Sequence, residues 1–439
     1  MRIHFIGIGG IGMSGLARIA ASRGDEVSGS DQSPCPFPGA AVGHAAANVP
    51  PGVELVVRSA AIKDDNVEVV EARKRNIPVL KYAEMLGRMT REKLTIAVSG
   101  CHGKTTTTSM IAYALHRAGF QPSYVCGGVI SQLGSNAAPG AGKHLVVEAC
   151  EYDRSFLNLS PACAVVTNIE EDHLDYYKDI DEIAGAFRDF AARCSGPVIA
   201  SLDNVHSARL LADLKGKGES FSVDKDADWR ARNIEVFDGR WSFDVLKYGR
   251  PFGRYALGVA GLHNVANALA AIAACTWAGM GQEILQVALA EFNGAARRFQ
   301  KLGERGGALV IDDYGHHPTE VQATLKAARE RYPDRKIWCV FQPHQTSRTR
   351  IFLKEFARSF SDASVVLLPE IYEARPSGEK KVSSADLAQA ISETGKAALF
   401  LPTFDDVVAF LKEKATPDCL ILTMGAGNVD QVAQRFLAD

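Results

Sequence analysis

The sequence predicts an α/β protein of three domains, and three observations predict it. Short apolar runs alternate with stretches of helical spacing at both ends of the chain, the pattern of parallel sheets covered by helices. Glycine-rich turns directly follow strand signals at residues 7–12 and 100–104. Residues 229–255 alternate apolar and polar side chains, which marks antiparallel pairing inside the middle stretch.

The first domain is expected over residues 1–90. A strand at 2–6 stops at glycines, a helix follows at 13–23, and a second strand at 26–29. Strands at 54–58 and 77–80 flank a charged helical segment at 64–75, so the unit reads as Rossmann-like. The second domain, 91–296, opens with a strand at 94–98 and a helix at 105–118. Buried strands are expected at 144–147 and 164–166, a hairpin turning at Asp238-Gly239, and alanine-rich helices at 265–278 and 282–291. Parallel and antiparallel signals together imply a mixed sheet around a P-loop. The third domain, 297–439, alternates strands at 308–311, 337–341, 364–368, 398–401 and 420–423 with helices near 319–331, 350–360, 384–392, 405–413 and 428–437. It reads as a second Rossmann-like, doubly wound sheet.

Composition narrows the function. The 439 residues are 46% hydrophobic and 23% charged, ordinary for a globular chain, and suffice for three domains of roughly 100–200 residues each. A net charge of −2 gives no bulk attraction for nucleic acid. The nine cysteines are scattered and form no C-x-x-C pair, which points to a reducing, cytoplasmic compartment. The longest apolar stretch, 256–279, is interrupted by His263, Asn264 and Asn267, so no membrane insertion is expected.

Five motifs carry chemistry. The first is Gly100-Cys101-His102-Gly103-Lys104-Thr105, with Thr106 continuing the helix that it opens. Glycines let the main chain wrap a phosphate, and free N–H groups at a helix start attract it. The form G-x-x-x-x-G-K-[ST] needs glycine at 98, where Val98 stands, so the compact G-x-x-G-K-T remains. A simple capping turn is the plain alternative, but the Lys104-Thr105 pair argues against it. The second motif, residues 7–12, matches G-x-G-x-x-G with Asp31 about 20 residues on, a nucleotide pyrophosphate signature that close packing alone also explains.

The third motif joins Glu148 with residues 168–173, each after a strand, where α/β sheets bind ligands. Glu148 beside Thr105 suits Mg²⁺, and His173 suits a second ion. Glu170 and Glu171 read as solvated surface. The fourth, residues 261–267, places Asn264 and Asn267 on one helix face, where amides match a base edge; N-capping is the alternative for Asn264. In the fifth, residues 312–318 lie between Arg297-Arg298 and 341–348. There Arg298 would neutralise a transferring phosphoryl group, Asp313 would orient a ribose or that arginine, and His316, His344 and Arg348 would hold an anionic substrate or position an amine.

On residues 100–105, 168–173 and 261–267, in this order and spacing, the chain resembles the Mur ligases over its whole length. Residues 5–14, 28–31, 59–62, 148–156 and 312–320 liken it, within that family, to the member that joins L-alanine to UDP-N-acetylmuramate. The resemblance implies a UDP-substrate domain, a central ATPase and a C-terminal domain that swings closed. It implies ATP as co-substrate, Mg²⁺ or Mn²⁺ as cofactor, an acyl-phosphate intermediate, and a monomer or homodimer. Gly9, Gly10, Ile11, Gly12, Ser30, Asp31 and Ser59 would hold the UDP substrate, with Tyr314, His316 and Arg348 facing muramate or alanine. Lys104 would contact the ATP phosphates, Thr105 and Glu148 would hold one metal ion, and His173 a second. Asn264 and Asn267 would face adenine, with Arg298 and Asp313 closing the site. His316 or His344 would deprotonate the alanine ammonium. Where relatives usually carry arginine this chain has Gln345, and Arg188 lies near the position of the carbamylated lysine of sister ligases.

Three other readings stay open. One is a recycling ligase that adds a tripeptide to the same acceptor. Another is a nicotinamide oxidoreductase, favoured only by residues 7–12. The third is a non-catalytic nucleotide-binding regulator, against which Lys104, Thr105, Glu148 and His173 stand.

Overall fold

In the computed structural model, which describes residues 1–237, 239–374 and 382–438, three sheets follow one another along the chain. The first has five strands, all parallel, in the order Ala41–Val42, Glu26–Asp31, Arg2–Ile6, Leu55–Arg58, Val79–Lys81. Chain order reverses beside Arg2–Ile6, so the turn after that strand faces the crevice where such sheets take ligands. The helix that follows, Ile11–Ser22, has Gly10 at its N-cap and no side-chain cap, which leaves its first N–H groups available.

The second sheet has ten strands and is mixed. Its centre is parallel: Cys163–Val166, Leu94–Ser99 and His144–Glu148 lie side by side. Helix Lys104–Arg117 is buried from Thr105 to Leu115 because it sits between this sheet and helix Leu262–Trp277. The second helix permits this approach with small side chains; Ala268, Ala270 and Ala274 are fully buried. The third sheet runs Gln300–Arg305, Ala308–Asp313, Cys419–Met424, Lys336–Phe341, Val365–Leu368, Ala398–Phe400, antiparallel only at its first strand. Apolar layers cover both of its faces. All nine cysteines are free, and among the described residues no helix is long and apolar enough to cross a membrane.

Several expected elements change. The alternating stretch 229–255 forms three strands, not two: Trp229–Phe237, Arg240–Lys247 and Arg250–Ala256. Of the expected turn, Asp238 lies outside the described residues; a second turn passes through Tyr248 and Gly249, both at positive φ. The single helix expected at 350–360 is two, Thr346–Ile351 and Leu353–Arg358, broken where Phe352 turns into the core against His317. Strand Ser123–Ile130 was not anticipated, because Gly127-Gly128 interrupts its apolar pattern.

One buried polar cluster organises the first domain. Glu68 has no exposed surface, and it accepts from His4 Nε2 (3.0 Å), Ser30 Oγ (2.7 Å), Asn48 Nδ2 (2.8 Å) and the Ala45 N–H (3.1 Å). Burial disfavours its charge, but His4, Ser30 and Asn48 outweigh this and hold the carboxyl near pKa 2. A carboxyl depressed on folding stabilises above its unfolded pKa of about 4.5, and that stability drains as pH falls toward 2. Glu68→Gln should therefore lower stability at pH 7 by on the order of 2–3 kcal/mol in urea unfolding. The gap to the native protein should shrink between pH 4.5 and pH 3; an unchanged gap would refute the assignment.

Candidate active site

Parallel pairing brings the carboxyl ends of three strands together: Ser99, Glu148, and the segment after Val166. Between them the chain turns through Gly100 (φ 136°) and Gly103 (φ 82°), conformations that L side chains rarely adopt. A Cβ at Gly100 would stand 2.0 Å from Thr167 Oγ1, and one at Gly103 2.4 Å from Asn267 Oδ1. Asn168 fixes the peptide between them: its Oδ1 accepts the His102 N–H (2.9 Å) and its Nδ2 donates to the His102 carbonyl (3.0 Å). Helix Lys104–Arg117 then starts with no side-chain cap, so its N–H groups face the turn. Lys104 Nζ donates to the Gly100 and Cys101 carbonyls and pairs with Glu151 at 2.9 Å. The Cys101 thiol is buried against Glu170, donating to its carbonyl at 3.2 Å.

The expected metal ligands adjoin. The Thr105 hydroxyl donates to Glu148 Oε1 at 3.1 Å, and the other Glu148 oxygen accepts the Gly127 N–H at 2.7 Å. These are hard oxygen donors at the start of an uncapped helix, a set that suits Mg²⁺. His173, at positive φ, stands 3.6 Å from Glu151 Oε1. The second oxygen of Glu151 is buried without a partner, an orphan beside Lys104 and His173 that fits a cationic ligand. Burial opposes charge on Glu151, yet Lys104 and His173 hold its carboxyl below the ordinary value.

The third domain closes over this loop. Arg298 reaches Thr105 Oγ1 at 3.3 Å. A cavity of about 810 Å³ lies between the two domains, lined by His102, Gly103, Thr106, Asn264, Asn267 and Arg298 among others. Asn267 Nδ2 donates to Asn264 Oδ1 (3.0 Å) and Asn264 Nδ2 to the Ala260 carbonyl (2.6 Å). Gly261 is the N-cap of that helix, so Asn264 does not cap it. Asp313 faces Arg298 as expected, but its oxygens accept the N–H groups of Phe299 (2.8 Å) and Gly315 (2.7 Å). Its carboxylate thus shapes the turn while lining the cavity.

Tyr314, His316, His344 and Arg348 gather as expected. Tyr314 and His316 rings are 5.8 Å apart, as are His316 and His344, and Arg348 contacts His344 Nδ1 at 3.1 Å. Arg348 also pairs with Asp172 at 2.7 Å, across to the second domain. Burial, reinforced by Arg348, lowers His316 to about 3 and His344 to about 4. Burial thus holds both rings neutral at pH 7 and makes each a weaker base than a free imidazole. Glu170, expected as solvated surface, keeps 30% of its side chain exposed yet also pairs with His102 at 3.3 Å and accepts from Thr319 Oγ1 at 3.1 Å.

In the first domain, Asp31 accepts the Gly9 N–H at 2.9 Å, Gly10 N–H donates back to Gly7, and Ser59 packs on Gly7. Gly12 lies against the Tyr82 ring, and the Ile11 carbonyl accepts from Asn136 of the second domain at 3.0 Å. Ser30 differs from expectation, since its hydroxyl is buried and donates to Glu68 inside the domain. Sequence reasoning assigned no role to Glu151, Asp172 or Glu320. Each stands within a few residues of a motif position, and only its partner across the fold reveals it.

Three family models match along the chain: "Mur ligase family, catalytic domain" over 2–94, "Mur ligase middle domain" over 98–275, and "Mur ligase, glutamate ligase domain" over 297–427. The UDP-N-acetylmuramate–L-alanine ligases of Carboxydothermus hydrogenoformans and Acetivibrio thermocellus are each 43% identical to it, over 100% of this chain and 96% of theirs. The crystal structure of UDP-N-acetylmuramate–alanine ligase from Thermotoga maritima superposes with a TM-score of 0.84 at 29% identity, covering 100% of this chain and 98% of that one. A murein peptide ligase from Psychrobacter arcticus superposes with a TM-score of 0.69 at 27% identity, with the same coverage.

The steric fit of the loop is testable. Gly103→Ala should weaken binding of a non-hydrolysable ATP analogue by about tenfold or more in calorimetry, because the new Cβ displaces Asn267 and strains a left-handed turn. Unchanged affinity would show that the turn does not seat the nucleotide.

Proposed function

The chain belongs to the Mur ligase family, and from that premise we propose how its residues divide the ATP-dependent joining of L-alanine to UDP-N-acetylmuramate. Residues 1–90 seat the UDP substrate at the glycine turn, 91–296 bind ATP, and 297–439 bring the amino acid and close the nucleotide site. The reaction takes place in the cytoplasm. The observation that carries this division is Arg298 on Thr105, a third-domain cation at the first turn of the phosphate-loop helix.

A free carboxylate does not condense with an amine in water, so it must first be activated. The γ-phosphoryl group of ATP passes to the lactyl carboxylate, giving an acyl phosphate and ADP. Lys104 turns from Glu151 to the phosphate oxygens, and Arg298 offsets charge from the opposite side. Thr105 and Glu148 would hold one Mg²⁺ and His173, with Glu151, a second; bound there, the ions neutralise phosphate charge. The neutral amine of L-alanine then attacks the acyl carbon, the bond to phosphate breaks, and the proton lost from nitrogen passes to the His316 Nε2 lone pair.

His316 and His344 take complementary positions toward the amino acid. His316 Nδ1 lies 3.1 Å from the Tyr314 carbonyl, to which it donates, leaving the lone pair on Nε2. His344 Nδ1 accepts from Arg348, leaving the proton on Nε2. One ring thus accepts from an amine and the other donates to a carboxylate. Closure of the third domain keeps water from the acyl phosphate.

Lys104→Ala should cut ADP release with UDP-N-acetylmuramate and L-alanine by at least about 10³-fold, since it removes the cation at the transferring group. Near-native turnover would sink the phosphate-loop assignment. The same assay with each amino acid, and with tripeptide, should show turnover with L-alanine and none with tripeptide.

A further inference from the structure

His102 lies within the phosphate loop, and its ring stands at the boundary between the second and third domains. Its Nε2 is 3.3 Å from Glu170 Oε2 and its Nδ1 3.2 Å from Glu320 Oε1. Glu170 belongs to the second domain, and Glu320 opens the third-domain helix Pro318–Arg331. The ring also packs on His317 at 4.8 Å, which in turn packs on Phe352. The main chain at the same residue is gripped by Asn168 and Thr167, while Gly100 and Gly103 on either side leave it free to turn.

We propose that His102 is a positioning residue: Glu170 and Glu320 hold its ring from two sides, so that closure of the third domain sets the shape of the phosphate loop. Resting on the ligase reading above, this makes closure and phosphoryl transfer one event rather than two. Glu320 is suited to the link because its other oxygen accepts the N–H groups of His316 (2.9 Å) and His317 (3.2 Å). One carboxylate therefore ties the turn that carries His316, at the amino-acid side, to the loop that carries Lys104, at the ATP side. Burial disfavours charge on His102, but Glu320 and Glu170 outweigh it and raise the ring to about 10. At neutral pH an imidazolium thus stands in ion-pair contact between two carboxylates on two domains, although neither ring nitrogen makes a well-aligned hydrogen bond.

The donor atoms of His102, Glu170 and His317 lie within 4.8 Å of one another, a spacing that also suits a metal ion. The Thr319 N–H donates to His317 Nδ1 at 3.3 Å in the cap of the helix. That bond commits the Nδ1 lone pair and leaves the proton on Nε2, which is buried without a hydrogen-bond partner, so neither ring nitrogen offers a free lone pair to an ion.

The test uses the full chain and the variants His102→Gln, Glu320→Gln and both together. Each single variant should lower kcat for ADP release by about tenfold, with affinity for a non-hydrolysable ATP analogue changed less than about threefold. The double variant should be no slower than the slower single one, because both break one contact. A native kcat in either single variant, a double loss equal to the product of the singles, or a loss confined to ATP affinity would each overturn the clasp. Should Glu320→Gln melt early through its helix cap, Glu170→Gln, outside that cap, reads the same kcat loss. A native protein that releases no ADP would sink the ligase reading itself; an active one with the wrong variant pattern sinks only the clasp.

Discussion

The parallel pairing of Leu94–Ser99 between His144–Glu148 and Cys163–Val166 is the constraint on which the rest of the site depends. Parallel strands end on the same edge, so three loops distant in sequence converge within hydrogen-bonding reach. Glu148 meets Thr105 because their strands are neighbours, and Asn168 grips the His102 peptide for the same reason. An antiparallel neighbour would carry one of these loops to the opposite edge, and the phosphate turn would lose its ligands on that side.

Charge then draws the third domain onto this edge. Arg298 approaches Thr105, Arg348 pairs with Asp172, and Glu320 meets His102. Asp172 is buried and Glu320 mostly so, where an unpaired carboxylate is costly and a paired one is strongly oriented. The same partners that hold the domains together therefore also aim the groups to which the proposed mechanism gives the nucleotide and the amino acid. Glu151 works on this principle within the second domain, holding Lys104 and His173 beside the glycine turn.

Burial changes the chemistry of particular residues. His316 and His344 are held neutral by the packed turn and by Arg348. Glu170 stands in a run of charged residues that reads as surface, yet the third domain covers it and gives it His102 and Thr319 as partners. Neither outcome follows from residue type or spacing, because each depends on which group is brought opposite.

The sequence by itself determined the local chemistry: two glycine turns at helix starts, the Lys104-Thr105 pair, the asparagines one turn apart, and the alternation of strands and helices in the outer domains. These are short-range matters of backbone freedom, capping and periodicity, which a few neighbouring residues decide. Only the tertiary structure decided that Ser30 faces inward to Glu68, that 229–255 makes three strands, and that Glu151, Asp172 and Glu320 belong to the site. The third strand pairs within its own hairpin, whereas the other outcomes are set by partners tens to hundreds of residues away. A side chain's charge, exposure and orientation are properties of the pair it forms, and the pair exists only once the sheets have placed it.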